Sequence, residues 1–150
     1  MKLFLVHHAE AVGPEIDTRR PLSVAGEAHA TRLADIAAAR GAKPDVVWHS
    51  GKLRARQTAQ AFWRACNALA KFSAAPDLQP DDPPGRLRDR LIGETQDLLI
   101  AGHFPHLPRL LALLVGHDAS SGAFPQHGVV ALESGDDANT WKEIWRIDSA

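Results

Sequence analysis

The chain carries a single cysteine, Cys66, which excludes an intrachain disulfide and any Cys-x-x-Cys zinc site. It has no long apolar run: the longest, Leu110 to Val115, falls far short of the roughly 20 residues that span a bilayer. The first apolar stretch, Leu3 to Val6, gives way at once to His7-His8. It lacks the length and the small-residue cleavage site of a signal peptide, so the expected compartment is the cytoplasm. Charge of one sign is also missing, with 17 Lys plus Arg against 18 Asp plus Glu and a net charge of -1. That balance excludes a generally basic nucleic-acid coat and a polybasic membrane anchor. Repeats and low-complexity tracts are absent, and nothing in the sequence speaks to oligomeric state. What is present is 150 residues, 45% hydrophobic and 23% charged, the composition of one globular domain, 1–150. A domain of this size buries about 70% of its unfolded surface, so it needs no covalent staple. Its 8 histidines are many for the length, and their positions carry the information.

Lys2 to Val6 reads as a strand buried on both faces, because its apolar residues do not alternate with polar ones. Ser23 is an expected N-cap, with Glu27 in the first turn of a helix whose Leu33, Ile36 and Ala37 form an inward stripe. Gly41 ends it. Asp45 to Trp48 reads as a second buried strand. A helix from about Leu53 to Leu69 follows, with Leu53, Ala61, Phe62, Ala65 and Leu69 inward. The proline-rich stretch from Pro76 to Gly85 is loop, and a short helix covers Gly85 to Ile92. Asp97 to Ala101 is a third buried strand, followed by a helix with Leu107, Leu110, Leu111 and Leu114 on one face. Gly128 to Leu132 and Trp141 to Ile147 read as strands joined by the polar turn Ser134 to Thr140, with Trp141 and Trp145 as packing residues. This alternation predicts an α/β fold, a three-layer α/β/α sandwich around a mostly parallel sheet.

In such sheets ligands bind outside the carboxyl ends of the strands. His8 follows the first strand, His49 and Ser50 the second, and His103 the third, so three strand ends bring imidazoles and a hydroxyl to one edge. Lys52, Arg54 and Arg56 stand at a helix start, where the dipole disfavours cations unless an anion offsets them. Open amides and guanidinium groups together make a phosphate-sized site. His29 and His117 read as packing or surface residues. His106 and His127 fit either role.

Leu5-Val-His-His-Ala-Glu10 resembles the signature of the histidine phosphatase superfamily, which reads Arg-His-Gly or Arg-His-Ala there. Ser50-Gly-Lys-Leu-Arg54-Ala-Arg-Gln57-Thr58 resembles its second motif. Arg20-Pro-Leu-Ser-x-x-Gly26 and Gly102-His103-x-Pro105 are similar to further motifs in family order. The motifs span residues 3 to 107, about two thirds of the chain, and the short length is most similar to phosphohistidine phosphatases of the SixA type. The resemblance implies a phosphoglycerate mutase-like fold and a phosphorylated substrate, either phosphohistidine in a protein or a small phosphate compound. It makes His8 the nucleophile of a phosphohistidine intermediate. Arg54, Ser50, Arg20 and His7 would bind phosphate, and His103 would donate to the transferring group. No metal and no cofactor is implied.

The chain departs from the pattern twice. His7 stands where the family has arginine, replacing two parallel hydrogen bonds and a permanent charge with one bond and a conditional charge. An unreplaced charged hydrogen bond is worth about 1.5–3 kcal/mol, or about ten- to a hundredfold in rate. Arg20, Lys52 and His49 are candidate replacements, and His7→Arg is expected to raise turnover of a generic phosphate ester. The second departure is the glutamate of Leu-x-Glu in relatives, which is here Leu78-Gln79-Pro80 followed by Asp81 and Asp82, the candidate general acids. An acidic, proline-rich loop is more often simply solvated. A weak or missing acid favours a phosphoramidate, whose leaving nitrogen can already carry a proton. Two rival readings stand beside this one. A metal-dependent hydrolase would draw ligands from His7, His8, His49, His103 and the aspartates, although adjacent strand residues point to opposite faces. A non-catalytic phosphate binder would have kept the pocket and lost turnover.

Overall fold

The computed structural model of the chain describes residues 1–116, 123–135 and 139–148. Six strands, β1 (Lys2–His7), β2 (Val46–His49), β3 (Lys71–Ala74), β4 (Leu98–Gly102), β5 (Val129–Ser134) and β6 (Trp141–Ile147), form one sheet in the order β3-β2-β4-β1-β5-β6. The pairs β1/β4, β2/β4 and β2/β3 are parallel, while β1/β5 and β5/β6 are antiparallel. Only β5 therefore runs against the others, and the sheet is mostly parallel as expected. Helices α1 (Val24–Ala39), α2 (Leu53–Cys66), α3 (Pro84–Leu91) and α4 (His106–Val115) cover its two faces.

The central strand shows how the layers arise. Successive side chains of a strand point to opposite faces. Leu3 and Leu5 accordingly pack with Leu87 and Leu91 of α3 and Leu107, Leu110 and Leu111 of α4. Phe4 and Val6 pack with Leu33 and Ala37 of α1 and Ala59 and Phe62 of α2. Both faces of β1 are dry, which is why the strand reads as an unbroken apolar run. Trp145 packs its ring 5.9 Å from that of Phe4, the packing role expected of it.

Ser23 caps α1, its hydroxyl accepting from the amide of Gly26 at 3.0 Å. Gly26 is glycine for a steric reason: a Cβ there would collide with the backbone carbonyl oxygen of Glu10. The same carbonyl accepts from Ser23 N–H at 3.0 Å, so the start of α1 is pressed against the loop that follows β1.

Two expectations are corrected, and one strand is added. The second helix stops at Cys66 rather than Leu69, and Leu69 is 95% exposed. Ile36 lies at the edge of the α1 stripe, exposed rather than buried. An edge strand, β3, occupies Lys71–Ala74, where one half-buried Phe72 among exposed residues produces no readable period. Most of the turn from Ser134 to Thr140 lies within the described residues, but 136–138 do not, and His117 also lies outside them.

Candidate active site

At its carboxyl end β1 lies between a parallel neighbour, β4, and an antiparallel one, β5. His7 N–H donates to Gly128 O at 3.0 Å on one side and His8 N–H to Gly102 O at 3.1 Å on the other. The chain is thus gripped from both sides as it leaves the sheet. Ala9 N–H then donates to Thr58 Oγ1 at 3.0 Å, and that hydroxyl donates to Arg54 O at 2.8 Å. Gln57 Oε1 accepts from Leu22 N–H at 2.7 Å. Gln57 and Thr58 therefore tie α2 to the two loops around the strand end. Sequence chemistry assigned these residues no role; only the motif in which they stand marked them.

His8 donates from Nδ1 to Ala9 O at 2.8 Å. A carbonyl only accepts, so the hydrogen is on Nδ1 and Nε2 keeps its lone pair. Burial lowers the pKa of this imidazole to about 4, with Arg54, His127 and Arg20 acting in the same direction against the Ala9 hydrogen bond. His103, 5.2 Å away ring to ring, is buried and joined to Ser50, Nε2 to Oγ, at 2.6 Å. Its pKa is lowered to about 3 by burial first and by His8 and Arg54 next. Both imidazoles are neutral near pH 7.

Arg54 is half-buried, and its Nε has no hydrogen-bond partner. Its pKa is lowered by burial and by Arg20. Arg20 is held by a bond from its Nε to Val12 O at 3.1 Å, on a backbone with φ of 50°. Among the described residues no carboxylate pairs with either guanidinium. The N-cap of α2, Lys52, makes no side-chain capping bond. Two unpaired cations, an orphaned Nε and an uncapped helix start around a neutral imidazole are the makings of an anion site.

His7 departs from what its position led us to expect. Its ring is stacked between Phe104, at 4.0 Å and 7°, and His127, at 4.9 Å and 4°. Its Nδ1 accepts from His127 N–H at 2.7 Å, so its hydrogen is on Nε2. Burial, with His8 next, lowers its pKa to about 3. The conditional charge expected of it is absent near neutrality, and His7 is a neutral single donor. His127, which the sequence left open, belongs to the site: its Nδ1 donates to His8 O at 2.7 Å from a backbone with φ of 54°. Left-handed backbone is uncommon outside glycine, though histidine tolerates it better than most residues.

His7 and His8 do not point apart as adjacent strand residues would, because β1 ends at His7, and their rings are 4.5 Å apart. With His127 they form a group of three in which one ring nitrogen from each lies within 4.8 Å of the others. The hydrogen on His7 Nε2 makes that nitrogen a donor, so the group does not fit a metal without breaking the bond from His127. Nor do the four histidines considered from the sequence assemble. His49 turns away, its Nδ1 accepting from Gly51 N–H at 3.0 Å and its ring 5.1 Å from Phe72.

Gln79 reaches the site, donating from Nε2 to Ser50 O at 2.7 Å. Asp82 accepts from Gln79 N–H at 2.9 Å and so holds its own loop, while Asp81 is exposed. Among the described residues neither carboxylate is hydrogen-bonded to His8, Ser50 or His103. His106, also left open by the sequence, is fully buried at the start of α4, with neither ring nitrogen bonded.

No family model matches the sequence, and no curated protein matches it. Solved structures do. The chain is similar to a SixA protein of Agrobacterium tumefaciens, with 30% identity and a TM-score of 0.79 over 97% of this chain and 96% of that one. It is similar to the protein histidine phosphatase SixA complexed with tungstate, at 21% identity and a TM-score of 0.86 over 99% and 97%. A phosphoserine phosphatase mutant from Entamoeba histolytica, in complex with phosphoserine, shares the fold at 12% identity and a TM-score of 0.72 over 99% and 97%.

Proposed function

The chain belongs to the histidine phosphatase superfamily, and from that premise we propose that it is a metal-independent phosphatase whose nucleophile is His8. His8 Nε2 attacks phosphorus, the bond to the leaving group breaks, and water then cleaves the phosphohistidine to release inorganic phosphate. Arg54 and Arg20 hold the phosphoryl oxygens. Ser50 Oγ accepts from Lys52 N–H at 3.3 Å, and in this mechanism its own hydrogen goes to His103 Nε2, 2.6 Å away. His103 then keeps a hydrogen on Nδ1 to donate to the phosphoryl group as charge spreads in the transition state. His7 adds one neutral donor through Nε2. The supporting observation is His8 itself: a neutral imidazole with Nδ1 committed to a carbonyl, beside a guanidinium that no carboxylate among the described residues neutralises.

The substrate is a phosphorylated compound, and phosphohistidine in a protein suits a pocket in which Asp82 is occupied with its own loop. Among the described residues no helix is long and apolar enough to cross a membrane. A cytoplasmic location accords with the sequence.

The test is phosphate release from a phosphohistidine peptide and from p-nitrophenyl phosphate, with a chelator present, in the wild type and in His8→Ala. Activity that survives the chelator and disappears in the variant is the expected result. Activity lost to the chelator would replace this reading with a metal site. Phosphate binding without turnover on either substrate would make the protein a binder.

A further inference from the structure

The reaction just described lacks a group that protonates an oxygen leaving group. Resting on that reading, we infer that His127 is the general acid. His8 Nδ1, His7 Nδ1 and His127 Nδ1 are all committed, to Ala9 O, His127 N–H and His8 O respectively. The free nitrogen of His127 is Nε2, which can take up and release a proton without disturbing those bonds. Its ring is 6.0 Å from the ring of His8, and one ring nitrogen from each of His7, His8 and His127 lies within 4.8 Å of the others, so the three imidazoles face one small space.

A second observation provides room for a leaving group. His127 forms one wall of an open cleft of about 300 Å³ that also includes Glu10, Ala25, Gly26, His29 and Arg32. His127 thus borders both the cleft and the histidine cluster around His8. Asp81 and Asp82 hold no comparable place, since one is exposed and the other is bonded to Gln79 N–H.

The protons balance over the cycle. As His8 Nε2 forms its bond to phosphorus, the phosphorus–oxygen bond to the leaving group breaks, and that oxygen takes the proton from His127 Nε2. The neutral His127 then takes a proton from water as its oxygen attacks phosphorus and the nitrogen–phosphorus bond breaks. His127 is reprotonated and His8 is restored. The acid is needed for esters, while a phosphoramidate leaving nitrogen can carry its own proton.

The test measures single-turnover formation of the phosphoenzyme from p-nitrophenyl phosphate, phenyl phosphate and an alkyl phosphate, in the wild type and in His127→Asn. Asparagine tolerates the left-handed backbone and offers a side-chain N–H to His8 O, so it keeps that bond while removing Nε2 and the ring stacked on His7, a packing loss that falls equally on every leaving group. General acid catalysis contributes about 10²–10⁴ in rate. The expected loss is about a hundredfold or more with phenyl and alkyl phosphates and only severalfold with p-nitrophenyl phosphate, whose anion leaves unaided. His127→Gly, which keeps the backbone conformation, should show the same steepened dependence on the leaving group. Equal losses across the series would reduce His127 to a positioning residue and overturn the inference alone. A wild type that forms no phosphoenzyme on His8 would instead overturn the proposed function.

Discussion

Lowering the pH from 7.5 to 5.0 is expected to remove several kcal/mol of stability, well before any carboxylate is protonated. His7 and His103 have pKa values lowered to about 3 and His8 to about 4, against 6.5 in the unfolded chain. For a group whose folded pKa is depressed, the stabilisation is fully present above the unfolded value and is lost as pH falls toward the folded one. Here the window runs from about pH 6.5 down to about 3–4. At pH 5 each of these imidazoles binds a proton when unfolded and almost none when folded. That difference is worth about 2 kcal/mol per histidine, or about 6 kcal/mol for the three. The figure at pH 5 requires only that the folded pKa values lie below 5, so it does not depend on their exact depth. A typical domain has 5–15 kcal/mol to lose. Urea unfolding followed by tryptophan fluorescence at several pH values, in phosphate-free buffer, measures the effect directly. His103→Asn should reduce the pH slope by about one proton. A change in stability below about 1 kcal/mol between pH 7.5 and 5.0 would refute the placement of three neutral, buried imidazoles in one pocket.

Three further outcomes are expected. Ser50→Ala removes the hydroxyl that orients His103, and kcat should fall about ten- to a hundredfold while stability drops by about 1–3 kcal/mol, because a buried ring nitrogen loses its partner; an unchanged kcat in the folded variant would count against that orientation. His7→Arg should lower the inhibition constant of inorganic phosphate about tenfold or more and raise turnover of p-nitrophenyl phosphate. The same variant should be less stable without phosphate, because it buries an unpaired cation between Phe104 and His127, and differential scanning with and without phosphate reads both effects. Gly26→Ala should cost at least about 2 kcal/mol in urea unfolding, because its Cβ meets the backbone carbonyl of Glu10 and the loop after His8 must shift; a silent substitution would show that the contact yields.

The strands that carry the site were legible because burial on both faces leaves an unbroken apolar run, as in Leu3 to Val6. The same rule placed His8, Ser50 and His103 together at one edge, where they are found. It also placed His49 there, wrongly, because a strand end fixes where a residue sits but not which way its ring turns. His49 follows the pleat toward Phe72. β3 left no trace because an edge strand with one apolar residue has no period to read. His127 was illegible for a different reason. It reaches His7 and His8 through the antiparallel pairing of β5 with β1, in which Val129 lies opposite Val6. Local sequence contains no record of a contact between residues about 120 positions apart. Asp82 shows the converse: a charge in a plausible place that the loop uses for its own turn.

The place of β1 in the sheet also bears on how the molecule comes to be folded. Its partners are Leu98–Gly102 on one side and a segment ending at Glu133 on the other. Contacts of such long sequence separation are closed late and slowly, because the entropy of the loop is lost before the pairing is gained. While the chain is emerging from the ribosome, the first strand made must wait for the last fifth of the sequence before both its edges are satisfied. His7 and His8 wait with it. A chain halted before residue 127 has the nucleophile in its sequence but no frame to hold it, so recovery of phosphatase turnover during refolding should report closure of β5 on β1 rather than the formation of any earlier part of the sheet.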